Sequence, residues 1–222
     1  MTGLAKKRRL SLVKNRYLIE NGSCGANAFW KLYSDGTLEI SGTGQIESAP
    51  WTGDYDFSNG IVRLIISDGI TSIPEDCLIE AENLVSAILP DSITVINVNG
   101  FRECRNLILE HLPAGLNRLE YAAFYGCNSI AITKMPVGLV YVGDYQFREC
   151  FGLQKIYFYS TPVIGRYAFV RCDNLTDIYV PWAEGEVAWA PWGADISTSG
   201  AKHINIHYNT VYDENGEPIT EV

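Results

Sequence analysis

The sequence predicts a β-rich solenoid of about five 23-residue coils, and three observations carry that reading. Phe101, Phe124, Phe147 and Phe169 recur at spacings of 23, 23 and 22, and Leu78 stands 23 residues before the first of them. Three residues after each Phe comes a Cys (Cys104, Cys127, Cys150, Cys172), with Ala81 in that place after Leu78. The 222 residues are 47% hydrophobic and 19% charged, with 13 Tyr and only 2 Met, which supplies a real core and suits strands better than a helical bundle.

The first segment, residues 1–21, is a basic arm. Lys6, Lys7, Arg8, Arg9, Lys14 and Arg16 all precede the first acid, Glu20, so the first 19 residues carry +6. The remainder, with 11 basic and 26 acidic residues, carries −15. Leu10, Leu12 and Val13 are soon interrupted by Lys14, Asn15 and Arg16. The apolar run of about 7–15 residues that a secretory signal needs is therefore missing, and no export signal is expected. No stretch approaches the roughly 18 unbroken apolar residues of a membrane span, so membrane insertion is not expected. Direct binding to nucleic acid is not expected either, because an acidic body opposes phosphate. The arm is read as an anchor whose charge suits an acidic groove on a partner protein.

Residues 22–60 read as a β-rich leader. Asp35-Gly36 and Ser41-Gly42 are turn dipeptides around the alternating Thr37-Leu-Glu-Ile40, the pattern of a hairpin that could cover the open edge of the first coil. Residues 61–181 are the solenoid. Asn83-Leu84, Asn106-Leu107, Ser129-Ile130, Gly152-Leu153 and Asn174-Leu175 open successive strands, and Leu89, Leu112, Met135, Phe158 and Val180 close them. The segments 61–66, 84–89, 107–112, 130–135, 153–158 and 175–180 are expected to form one parallel sheet, since each coil advances the chain in the same sense. In residues 182–222, Trp182, Trp189 and Trp192 are expected to cover the last coil. The tail beyond Tyr208 either forms one last hairpin or reaches a neighbour.

The unit Ala168-Phe-Val-Arg-Cys-Asp-Asn-Leu-Thr-Asp-Ile-Tyr-Val-Pro181 resembles the BspA-type leucine-rich repeat family. Gly22-Ser-Cys-Gly25, Trp30 and Asp35–Gly44 look like the leader often found before such repeats, so the resemblance spans roughly residues 22 to 181. It implies a binding or adhesion surface, found on bacterial surface proteins and in proteins encoded by phages, and it implies no catalysis. The Trp-rich run 181–194 and Ile206-His-Tyr-Asn209 resemble the endings of phage-encoded members.

The residues themselves point the same way. The chain has no C-x-x-C pair, no nucleophile elbow and no phosphate loop. The ladder cysteines are expected to be buried, unpaired and metal-free, because parallel Cβ directions disfavour bridges between coils. His203 and His207 alternate with Ile204 and Ile206, which is strand patterning, and four residues along a strand span about 13 Å, too far for one metal. Like His111, they read as surface polar residues. No cofactor is expected.

With the first Leu or Ile of each strand inward, positions +3 and +5 also face in. Positions +1, +2 and +4 then form outward columns in which Val85, Ile88, Ile108, Leu109 and Ile132 make an apolar patch, with Tyr157 and Tyr179 beside it. A contiguous exposed patch of this kind marks an interface; the competing reading is that flanking loops cover it or that strand propensity alone selects these residues. Glu110 and Thr133 disturb the register by occupying inward +3 places. Either they bond to each other across adjacent coils or their strands are locally rotated. Together these features are read as a non-enzymatic virion protein, a capsid decoration or tail-associated adhesion module, with partners among virion proteins or copies of itself. A host surface protein or a glycan is a further candidate partner. The alternative is a bacterial cell-surface adhesin.

Overall fold

The computed structural model describes residues 16–52 and 60–219, and no α-helix occurs among them. The leader opens with β1 (Leu18–Ser23), β2 (Ala28–Tyr33) and β3 (Thr37–Gly42), paired antiparallel in that order. Along β2 the alternation is direct: Ala28, Trp30 and Leu32 are buried while Phe29 and Lys31 face out. The turn into β3 is held by the Thr37 N–H donating to the Asp35 carboxylate at 3.1 Å, with Gly36 at φ +77. Gly42 could be no other residue, since it sits at φ +110 and a Cβ there would lie 1.9 Å from the Asn27 carbonyl. The two-residue β4 (Gly44–Gln45) follows.

The strands of the solenoid alternate between two faces. In chain order they are β5 (Arg63–Ile66), β6 (Ile70–Ile73), β7 (Ser86–Ile88), β8 (Val95–Ile96), β9 (Arg118–Leu119), β10 (Tyr141–Val142), β11 (Lys155–Tyr157), β12 (Val163–Ile164) and β13 (Asp177–Tyr179). β3 pairs in parallel with β5 and β5 with β7, so the leader runs straight into the front face. β4, β6, β8, β9, β10 and β12 form a second, parallel sheet, the back face.

A third, turn face closes each coil with two left-handed residues. These are Asp76 and Glu80, Asn99 and Glu103, Ala122 and Gly126, Tyr145 and Glu149, and Tyr167 and Arg171. Non-glycine residues resist this conformation. It persists because the turns bond to one another: the N–H of Phe101 donates to Ala123 C=O at 2.8 Å, that of Phe147 to Ala168 C=O at 2.8 Å, and that of Glu103 to Tyr125 C=O at 2.6 Å. Inside, Phe101, Phe124, Phe147 and Phe169 stack nearly parallel, with centroids 5.4, 5.9 and 5.5 Å apart. The thiols of Cys104, Cys127, Cys150 and Cys172 each donate to a carbonyl of the preceding coil, at 2.9 to 3.1 Å. The Asn of the Asn-Leu pair has the same duty at the rim: Asn106 and Asn174 donate to Glu82 C=O and Phe151 C=O, both at 2.8 Å.

The front face departs from the single sheet expected. It is hydrogen-bonded from β1 to β7, reduces to the isolated bridges Ser86–Ile108 and Lys134–Tyr157, and resumes as β11–β13. The interruption falls on segments 107–112 and 130–135, and it corrects the surface assignment of two residues. Leu109 and Ile132 are 7% and 0% exposed and belong to the core, while Glu110 and Thr133 face solvent. An unpaired carboxylate is too costly to bury, so the strand turns until its apolar neighbour points inward instead. The strands are rotated rather than bonded through Glu110 and Thr133. In the next coil, a Cβ on Gly152 would lie 2.1 Å from the Ile130 carbonyl.

The C-terminal region contains a further turn of the same kind. Trp189 and Gly193 occupy the two recurring left-handed positions, Trp192 between them is left-handed as well, the Phe169 N–H donates to Trp192 C=O at 3.1 Å, and Ala194 lies buried one coil beyond Cys172. The chain then makes a small hairpin, β14 (Ile196–Ser197) and β15 (Gly200–Ala201), and returns as β16 (Asn205–His207), parallel to β13. Trp182 and Trp192 pack on Phe158 at 5.6 and 6.5 Å. Trp189 is 58% exposed, contrary to the expectation that it covers the core. Lys202 donates to the carbonyls of Cys172 and Leu175 at 2.5 and 2.6 Å, supplying partners to backbone groups at the end of the last regular coil.

Candidate binding face

The rotation described above leaves a smaller outward patch than expected, and a better defined one. Val62, Val85, Ile88 and Ile108 are 37%, 40%, 58% and 56% exposed on adjacent strands of the front face. Ser86 pairs with Arg63 and with Ile108, so these apolar side chains come from three consecutive coils. Further along, Tyr157, Tyr179 and His207 stack in a row, at 4.8 Å and 4.1 Å between rings, and are half-buried rather than fully outward.

The tail separates the two groups. Tyr212 and Pro218 form an antiparallel bridge, Lys134 pairs with Glu217 at 2.9 Å, and the Tyr159 hydroxyl donates to Gly216 C=O at 2.7 Å. Among the described residues, the tail lies over the front face at Lys134 and Tyr159 and leaves Val85, Ile88 and Ile108 exposed. A cavity of about 350 Å³ lies where the tail meets β16, between Tyr179, His207 and Ile219.

Asp177 and His207 resemble half of a catalytic relay, at 2.9 Å. Burial raises the Asp177 carboxyl, but hydrogen bonds from His207, Thr176 and Asn205 outweigh it and hold the acid below its ordinary range. The Thr176 hydroxyl donates to Asp177 at 2.7 Å and the Asn205 amide at 3.1 Å, so the group ties β13 to β16. His203 bonds Asn205 at 2.8 Å. No group of three or more His, Cys, Asp or Glu among the described residues could hold a metal ion.

All six cysteines are free and buried. Burial pushes the thiols of Cys104 and Cys172 up to about 12 and that of Cys24 up to about 11, and it raises those of Cys77, Cys127 and Cys150 well above their ordinary 9.0. A thiol reagent at pH 8 should therefore label all six only as fast as the protein unfolds, and readily once it is denatured. Rapid native labelling would contradict this. Because the folded thiols titrate above the unfolded ones, their contribution to stability is complete below pH 9 and declines as the pH rises past it.

The proposed anchoring residues Lys6, Lys7, Arg8, Arg9 and Lys14 lie outside the described residues. Arg16 is engaged by the chain's own leader. It bonds Glu39 at 2.5 Å, lies 3.7 Å from Asp35 and stacks over Tyr33 at 3.6 Å.

The geometry agrees with a comparison against known families. The family profile for the BspA type leucine-rich repeat region matches residues 71–184 in six copies. The chain belongs to the BspA-type leucine-rich repeat family. A search of curated proteins finds no match. Among solved structures, a leucine-rich repeat protein from Eubacterium ventriosum is similar with TM-score 0.59 at 21% identity over 72% of this chain and 43% of that one. A leucine-rich repeat protein from Bacteroides ovatus gives 0.58 at 20% identity, over 84% and 53% of the two chains. The leucine-rich repeat protein of T. pallidum gives 0.51 at 20%, over 80% and 82%. These likenesses concern the fold. The BspA-type chain spans about half the length of the Eubacterium and Bacteroides proteins.

One set of surface residues escaped the sequence reading. Tyr121, Tyr145, Tyr167 and Trp189 form a row on the turn face. The signal was present, since each Tyr stands two or three residues before a ladder Phe.

Proposed function

We propose that this BspA-type chain is a non-enzymatic binding module that contacts another protein through Val85, Ile88 and Ile108. The observation that carries the reading is the exposed apolar strip on three consecutive coils, which the described part of the tail does not cover. Repeat architectures present such extended surfaces because each coil fixes the next. On the far side of the tail, the aromatic row of Tyr157 and Tyr179 supplies further flat, weakly hydrated side chains of the kind common at interface centres. The finer setting is a virion, as a capsid decoration or tail-associated module joined to the particle by the basic arm. The opposite charges of arm and body support an anchored module. A bacterial cell-surface adhesin is the second reading, favoured by the bacterial sources of the structurally similar proteins.

The test is a double substitution, Ile88→Asp with Ile108→Asp. Both side chains are more than half exposed, so thermal unfolding should be unchanged. Self-association in sedimentation velocity, or occupancy on purified particles, should fall by at least tenfold, as expected for two contacts each worth more than about 1 kcal/mol. Unchanged assembly on both measurements would remove the patch from consideration. Mass spectrometry of purified virions decides the setting.

A further inference from the structure

We propose that the turn face of this protein carries a second site, centred on Arg166, Tyr167 and Trp189, that binds an acidic oligosaccharide. It goes beyond the protein contact proposed for the front face and uses none of its residues. Four of the five tryptophans are buried, Trp30, Trp51, Trp182 and Trp192, whereas Trp189 is 58% exposed. The core does not require that indole, because Trp192 in the same turn already fills it. Trp189 stands between two open grooves of about 220 and 230 Å³. Arg166, Tyr167 and Gly193 line one, and Pro162, Val163 and Val187 line the other.

The guanidinium carbon of Arg166 lies over the indole of Trp189, 3.8 Å from the ring centroid. Its backbone N–H donates to Asp144 at 2.8 Å, but its side chain enters no ion pair among the described residues. A guanidinium fixed by stacking and without a carboxylate is preorganised to receive one in bidentate geometry. Tyr167, 44% exposed, continues the platform and stacks on Tyr145 at 5.5 Å.

The shape selects the ligand class. Each groove is below the roughly 300 Å³ at which pockets begin to enclose a drug-sized molecule. They fit two consecutive rings of a chain better than one compact ligand. A pyranose offers an apolar C–H face to an aromatic ring and hydroxyls to the polar rim, and its carboxylate, where it has one, answers the unpaired cation. A protein partner would find no deep anchoring pocket here. One ring therefore sits against Tyr167 with its carboxylate on Arg166, and the next lies across Trp189 towards Val163 and Val187.

Trp189 supplies its own reporter, because acrylamide quenching reads the exposed indole selectively. The probes are a tetrasaccharide alternating glucuronate with N-acetylglucosamine, sialyllactose, and the uncharged tetramer of N-acetylglucosamine. At least one acidic probe should protect Trp189 from quenching and bind at least tenfold more tightly than the neutral tetramer. Arg166→Gln should lower that affinity at least tenfold by calorimetry, and raised salt should weaken it. Trp189→Ala should abolish binding, while Ile88→Asp with Ile108→Asp leaves it intact. Both site residues are exposed, and an unchanged melting curve confirms that the variants fold. Equal binding of neutral and acidic probes, no binding by either acidic probe at millimolar concentration, or an Arg166→Gln variant with undiminished affinity would each overturn the site. So would a proline-rich peptide that protects Trp189 where the sugars do not.

Discussion

Phe124→Ala is expected to cost about 3–5 kcal/mol of folding free energy. The ring is fully buried between Phe101 and Phe147, at 5.4 and 5.9 Å, and stacks nearly parallel with both. Truncation removes two aromatic contacts at once and leaves a void that neither neighbour can fill, since each turn is pinned by backbone bonds to the next coil. Against a total stability of about 5–15 kcal/mol this is a large fraction. In a solenoid the damage also falls on the interface terms between coils, so the unfolding transition should broaden or split as the halves on either side uncouple. Urea unfolding followed by circular dichroism measures both effects. Phe29→Ala is the control: that ring is 52% exposed on β2, and its loss should stay within about 0.5 kcal/mol. A Phe124→Ala cost below about 1 kcal/mol would mean that the ladder is not the core that the 23-residue spacing implies.

The ladder was legible because a repeat writes the same physical demand several times. Phe101, Phe124, Phe147 and Phe169 need not be individually diagnostic; their common spacing is. The further turn at Trp189–Ala194 was not legible for the converse reason. There Ala194 stands one coil beyond Cys172, with no Phe or Cys in the turn, yet the backbone repeats the same left-handed pair. In the coils before it those positions are held, Gly126 apart, by residues other than glycine, so Gly193 continues no glycine repeat that would announce the turn. Tryptophans clustered in sequence read as a cover for the core; Trp182 and Trp192 pack on Phe158 while Trp189 stays exposed, because which side of a turn a ring takes depends on the coil beneath it. On the front face, Val85, Ile88 and Ile108 follow from strand alternation. Leu109 and Ile132 do not, because alternation assumes an unbroken ladder. Glu110 and Thr133 marked the place where the assumption breaks. The direction in which the strand turns is set by the cost of burying a carboxylate, a quantity that appears only when the neighbouring coils are in place.

That rotation yields the second large expected effect. If the strand at 107–112 is turned as described, two adjacent substitutions to the same residue should behave in opposite ways. Ile108→Asp places a carboxylate at a position 56% exposed, and stability should change by no more than about 0.5 kcal/mol. Leu109→Asp places it at a position 7% exposed, packed in the continuous core. The loss of the buried leucine alone is worth about 2–5 kcal/mol, and an unpaired buried carboxylate adds several more, of order the whole stability of the domain. The introduced carboxyl would titrate above its unfolded value. The Leu109→Asp protein should therefore be most stable below about pH 4 and lose stability as the pH rises through the folded pKa. Thermal melts of both variants at pH 4 and pH 7 make the comparison. A regular, unrotated strand reverses the pattern: both side chains are then outward, Leu109→Asp is as mild as Ile108→Asp, and its melting temperature shows no such dependence on pH.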